Sequence, residues 1–176
     1  MVIDIKKVEA ARDGDTDMFA QVYDCVAPDL YKVALYTLGN PHDAEDVVSE
    51  TFLEAYKGIA RLRDPSKFKF WIMKILSARC KRKIAEYIRR KSHTDIDNFM
   101  SGPGALADLA ASDMAERTEV VSALARLSEQ ERLIIGLCVV QGYTIRETAS
   151  IIGSPQGTVS SKLHRALAKL RKMLEE

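Results

Sequence analysis

Apolar residues along this chain recur at three- and four-residue intervals, and no stretch alternates over a strand's length, so the pattern predicts an all-α protein. Phe19, Val22, Tyr23, Val26, Leu30, Val33, Ala34 and Leu38 mark a first helix from about Met18 to Leu38. Gly39 stops it, Asn40 caps the next, Pro41 suits a first helical position, and Asp43 favours the positive helix start. That second helix reaches about Ile59. A third runs from near Ser66 to Arg90 on Trp71, Ile72, Ile75, Leu76, Ile84 and Ile88. Periodicity then dissolves from Ser92 to about Ala115, and the stretch as far as Glu116, with a Gly-Pro-Gly breaker and five acids, reads as a linker. Helicity resumes near Arg117, breaks around Leu127, restarts at a Ser128/Glu131 capping box and closes at Gly142.

The most informative pattern spans Thr144 to Arg171. Thr144 and Glu147 form a second capping box, and Ile145, Thr148, Ala149 and Ile152 mark one apolar side. Gly153 ends that helix, Ser154 can cap the next, and Pro155 fits its first position. Val159, Leu163, Ala166, Leu167, Leu170 and Leu174 form the following core stripe. Thr158, Ser161, Lys162, Arg165, Lys169 and Lys172 gather on another face. Two helices about a tight glycine turn, the second with a Ser/Lys/Arg face, are the build of a DNA-reading helix-turn-helix. The plain alternative is a helical hairpin with a solvated basic face.

Charge changes this picture more than composition does. The net charge of +1 hides a balance of −7 over residues 1–60, +10 over 61–91, −5 over 92–119 and +3 over 156–176. Two basic segments separated by an acidic one fit a two-point contact with a polyanion, weakening steeply with salt. The first basic segment, residues 67–91, interleaves Phe68, Phe70 and Trp71 with Lys81, Arg82, Lys83, Arg89, Arg90 and Lys91. Exposed aromatics there could stack on unpaired bases while the cations hold the backbone, although Trp71 reads first as core. In residues 41–59, Asp43, Asp46, Glu50 and Glu54 repeat on one side. Like charges so spaced repel, which suits a basic partner, but spacing alone favours a merely solvated face. The acidic amino terminus lacks the apolar core of a signal peptide, and no apolar run reaches the roughly 20 residues that cross a bilayer. Cys25, Cys80 and Cys138 are far apart among apolar neighbours and read as buried thiols in a reducing cytoplasm. Nothing in the residues points to catalysis, and no cofactor or metal site is expected.

These segments, in this order, resemble the bacterial RNA polymerase sigma factors, and in particular the extracytoplasmic-function (ECF) group, from about Asp15 to Leu174. NPHDAEDVVSETFLEAYKGI is similar to the polymerase-binding helix and FKFWIMKILSARCKRK to the segment that recognises and melts the minus-ten element. The stretch from LSEQERLII to LAKLRKML is similar to the domain that reads the minus-thirty-five element. The resemblance implies domain 2 over residues 1–91, an acidic linker over 92–116 and domain 4 over 117–176. It implies polymerase contacts at Asp46, Glu50 and Phe52, and minus-ten contacts at Lys69, Trp71, Lys74 and Arg79. Minus-thirty-five contacts would fall at Thr158, Ser161, Lys162 and Arg165, with Lys169 and Lys172 on phosphates. Core RNA polymerase, promoter DNA with its melted strand, and an anti-sigma factor are the implied partners. No small-molecule substrate or membrane insertion is implied, nor an appended sensing domain. Ser49, Phe70, Ala78 and Arg82 depart from the family's usual residues. A stand-alone helix-turn-helix regulator and a helical protein that sequesters transcription factors remain the alternatives.

Overall fold

The computed structural model describes residues 3–93 and 115–175, and every regular element among them is a helix. Of the linker expected over residues 92–116, residues 94–114 lie outside the described residues, and residues 92–93 and 115–116 belong to the flanking helices. Helix α1 (Ile5–Arg12) precedes the elements expected from periodicity. It is short and buries only Val8 and Ala11, too few positions to register as a stripe. Asp15 caps α2 (Thr16–Leu38) by accepting from the Asp17 and Met18 amides. Gly39 ends α2 with φ 70°, a left-handed conformation that costs glycine little. Asn40 caps α3 (Pro41–Gly58), with Pro41 at its start as expected. Short 3-10 turns at Ile59–Arg61 and Pro65–Lys67 lead into α4 (Phe68–His93).

Helices α1–α4 close around Val22, Val26, Leu30, Val33, Phe68, Ile72, Met73 and Leu76. Buried Thr37 and Thr51 are satisfied within their own helices, donating to the Val33 and Val47 carbonyls at 2.7 Å each. The Cys80 thiol is buried and pushed up to about 12 by desolvation. Cys138 is half-buried, 3.2 Å from the Thr148 hydroxyl, and Cys25 is exposed. The expectation of three buried thiols therefore fails at Cys25, which lies on the outer side of α2, away from the stripe led by Val22 and Val26.

In the second half, α5 (Ala115–Ala125) is followed by α6 (Glu129–Ile135), opened by the Ser128/Glu131 capping box. A π-helical turn over Gly136–Val140 and Gly142 at φ 72° lead to α7 (Ile145–Ile152). The Thr144/Glu147 box opens α7, and Gly153 closes it at φ 71° with its own amide and that of Ser154 both on the Ala149 carbonyl. The last helix, α8 (Gln156–Glu175), begins one residue later than expected. Pro155 stands just before it and its carbonyl accepts from Thr158 and Val159, while Ser154 is tied back to α7.

Two small clusters hold α5–α8 together: Leu127, Ile135 and Ala166, and Ile134, Ala149 and Val159. Leu133, Leu137, Tyr143 and Ile151 point elsewhere. They enter the same core as α2 and α4, so the two halves pack against one another.

Candidate nucleic-acid interface

The last helix, α8, buries Val159 and Ala166 and packs Leu163 and Leu170 beside them. At about 100° per residue, the position opposite this stripe belongs to Ser161, His164, Arg165 and Lys172. All four are exposed, as are Thr158, Ser160 and Ala168. Arg165 lies along its helix, with Nε donating to the Ser161 carbonyl at 3.2 Å. Lys162 and Lys169 fall nearer the stripe and are held by α6. Lys162 donates to Gln130 at 2.6 Å, and Lys169 pairs with Glu131 at 2.7 Å. The six expected residues thus divide into an outward set and a flanking pair. His164, about 140° round the helix from Val159, shares the outward face although the sequence reading passed over it, and that angular offset was the available signal.

Glu131 is the pivot of that flank. One carboxylate oxygen accepts from the Ser128 amide and hydroxyl, the other from Lys169, and its side chain is only 12% exposed. Burial opposes its ionisation, but the Lys169 ammonium and the Ser128 donors outweigh burial and hold its carboxyl below the ordinary value of 4.5. Because the folded value is depressed, the stabilisation is present above the unfolded value and is lost as pH falls through the folded one. Urea unfolding of wild type and Lys169→Met should therefore differ by roughly 0.5–1 kcal/mol near neutral pH. The difference should vanish towards about pH 3; one that ignores pH would remove this pair as its cause.

The basic-aromatic helix α4 divides its residues between packing and surface. Phe68 is buried, and Trp71 is half-buried with its centroid 5.8 Å from that of Phe68. Gly58 makes room for it, since a Cβ there would meet the indole at 3.2 Å. Lys74 is exposed, 5.3 Å from the centroid of the departing residue Phe70. Lys69 is half-buried, 5.3 Å from the Tyr143 centroid. Ala78, Lys81 and Arg82 are exposed, with Arg82 at 3.4 Å from Glu86.

Arg79 is placed differently from the other three expected minus-ten residues. It turns onto α3, bonding Glu54 through Nε at 2.9 Å and Glu50 through Nη1 at 3.1 Å. Its second Nη also pairs with Glu54, and these carboxylates raise its pKa. Lys83 repeats the arrangement at 2.7 Å from Asp43 and 4.0 Å from Asp46, and Tyr87 donates to Asp43 as well. The acids of α3 are therefore partly paired within the chain, while the Asp46 side chain stays 70% exposed. Cations of α4, some 25–40 positions away, lie across from them.

Of the expected polymerase contacts, Asp46 and Glu50 are exposed at this ladder's outer edge. Phe52 is half-buried, its ring 4.0 Å from Tyr23 and 5.0 Å from Phe19. The same side exposes Leu53 (56%) and Tyr56 (50%), which sequence reasoning passed over. Leu53 stands off the apolar stripe between two acids, a position that could have marked it. A shallow groove of about 380 Å³ lies nearby, lined by Tyr23, Pro28, Tyr31, Glu45 and the departing residue Ser49 among others.

Residues 22–94 match sigma-70 region 2 and residues 123–172 match sigma-70 region 4, so the fold is that of a two-region sigma-70 protein. Over 180 residues the chain is 26% identical to the ECF RNA polymerase sigma factor SigW of Bacillus subtilis, covering 97% of this chain and 96% of that one. It is 32% identical over 134 residues to the ECF RNA polymerase sigma-E factor of Escherichia coli, with 70% of each covered. Among solved structures, the sigma factor RpoE of Bartonella quintana, in complex with the anti-sigma factor NepR, superposes with TM-score 0.68 at 25% identity, covering 89% and 96%. The chain belongs to the ECF group of RNA polymerase sigma factors. It is accordingly an initiation factor that directs RNA polymerase to promoters, and neither a stand-alone regulator nor a sequestering protein is favoured.

Proposed function

We propose that this chain reads two promoter boxes with two separate basic helices while docked on core RNA polymerase through α3. The observation that carries this reading is the outward set on α8. In a capped helix-turn-helix, Ser161, Arg165 and Lys172 face away from the buried residues of their helix, with Thr158 exposed beside them, as a helix seated in the major groove requires. Ser161 and Arg165 reach base edges, Arg165 as a bidentate partner for guanine. Lys172 contacts phosphate. Lys162 and Lys169 set the roll of α8 against α6, and they touch phosphate only if they leave Gln130 and Glu131.

On α4, Lys69, Lys74, Lys81 and Arg82 hold the minus-ten backbone, and Trp71 contributes its exposed edge. Arg79 positions α4 on α3. Asp46, Leu53 and Tyr56 offer the polymerase a mixed acidic and apolar surface, with Phe52 supporting it from behind and Glu50 shared with Arg79. The protein acts in the cytoplasm, performs no chemistry of its own, and binds an anti-sigma factor, as the sigma factor RpoE of Bartonella quintana is in complex with the anti-sigma factor NepR. Size-exclusion chromatography with core RNA polymerase tests the reading directly. Co-elution at low salt is expected, together with promoter-dependent run-off transcripts. A chain that elutes alone would end the proposal.

A further inference from the structure

Gly58 is the last residue of α3, and its backbone does not call for glycine. Its φ of −103° and ψ of −14° lie in the right-handed helical region, open to any residue. Glycine is also a poorer helix former than alanine, so the missing side chain has another cause. Trp71 of α4 occupies the space. A Cβ on Gly58 would stand 3.2 Å from Cζ2 and 3.7 Å from Cη2 of the indole. The first distance is inside the roughly 3.5–4.0 Å at which carbon atoms rest.

The groups around this contact differ in their freedom to yield. Ala55 and Ile59, on either side of Gly58, are buried and hold the end of α3 in place. Phe68, three residues before Trp71, bears on the same ring with centroids 5.8 Å apart and is itself only 2% exposed. Trp71 is half-buried, so the indole is the group with room to move, and the room lies towards solvent.

Trp71 is the aromatic of α4 expected to meet the minus-ten element, and exposed Lys67 and Lys74 stand four residues before and three after it. We infer that Gly58 is a positioning residue for strand binding: by omitting a side chain, the end of α3 holds the Trp71 indole at the depth where an unpaired base stacks on it. The inference rests on the proposed reading that Trp71 meets the melted strand. A ring fixed beforehand gives up little freedom when the base arrives. A ring pushed outward and loosened has to be ordered again at each encounter. The helix that docks on polymerase thus also sets the aromatic that meets the strand.

Trp71 is the one tryptophan of the chain, so its emission reports on this contact alone. Wild type, Gly58→Ala, Trp71→Leu and the double variant are compared as full chains, with a labelled oligothymidylate of about 20 nucleotides as the strand. Gly58→Ala should keep wild-type helicity by circular dichroism, shift the emission to longer wavelength and expose it to acrylamide quenching. It should bind the oligonucleotide roughly fivefold more weakly, the low end for one lost base stack. In the Trp71→Leu background the same substitution should change nothing further, because Gly58 acts through the indole. Should Gly58→Ala lose helicity, Gly58→Ser adds the same Cβ and repeats the comparison. A glycine with a merely structural role moves the melting temperature and leaves emission and affinity unchanged, and that result would overturn the inference. An equal loss of affinity in the Trp71→Leu background would overturn it as well. If Trp71→Leu binds as tightly as wild type, the proposed strand contact of Trp71 falls and the inference with it. A persisting emission shift then distinguishes that failure from one in which Gly58 does not hold the indole.

Discussion

An Arg132→Met protein should begin to unfold well below wild type, by roughly 6–12 °C for a chain of this size. Only 7% of Arg132 is exposed, yet its guanidinium serves carbonyls on both sides of the interface. Nε reaches Thr37 at 3.0 Å, and Nη1 reaches Leu127 at 2.7 Å and Ala125 at 3.4 Å. Glu129 lies 3.8 Å from Nη2. Burial pushes the guanidinium pKa down, and the neighbouring Glu129 works against that shift. Methionine keeps the apolar stem but leaves those carbonyls without a donor. A buried acceptor so stranded costs about 1–3 kcal/mol, and we expect about 3 kcal/mol in all because surface water can reach part of the turn. Arg132→Lys should recover less than half, since one ammonium cannot span carbonyls that a planar fork reaches in two directions. A melting temperature within about 2 °C of wild type would show that the carbonyls find other partners.

The second large effect concerns selectivity rather than stability. Arg165→Ala should leave polymerase binding intact and erase preference at one minus-thirty-five position. A bidentate arginine–guanine pair discriminates by about 1–3 kcal/mol, or roughly 5- to 150-fold. Transcription from promoters differing at single positions, with variant and wild-type factor on the same core enzyme, measures this. Lys172→Ala provides the contrast: it should weaken all promoters alike and reduce the salt slope by about one. Lys169→Ala should instead lower the stability of the helix-turn-helix, because its ammonium is committed to Glu131. Promoter preferences unchanged at every position would take Arg165 out of the reading set.

The structure also separates two roles that charge alone merges. Arg79 and Arg165 are both cations on helices expected to meet DNA. Arg79 is spent on Glu50 and Glu54, whereas Arg165 lies on the outward face of its helix. A basic helix in this protein is thus partly structural, and counting its cations overstates its contact with phosphate.

Local chemistry makes most of the helices legible in the amino-acid sequence. Asn40 with Pro41, Ser128 with Glu131, and Thr144 with Glu147 stand within three or four residues of the amides they serve, so the spacing that reveals them is the spacing at which they act. The same holds for Gly39 and Gly153, and for the buried stripes of α2 and α4. The short α1 escaped because two buried positions leave no period to read; Cys25 was judged by its apolar neighbours rather than by its offset from the α2 stripe, and the start of α8 moved past Pro155 because Ser154 is tied back to α7. What the tertiary structure alone decided is which distant groups meet. The pairing of α3 acids with α4 cations spans 25 to 40 positions, and the roll that turns Lys162 and Lys169 towards α6 depends on where α6 sits. The bonds from Arg132 to the Thr37 carbonyl and from Lys81 to the Ile152 carbonyl span 95 and 71 positions. No local pattern encodes such pairs: whether a cation faces a carboxylate, a carbonyl or solvent is settled when apolar faces pack and fix the helices' relative roll.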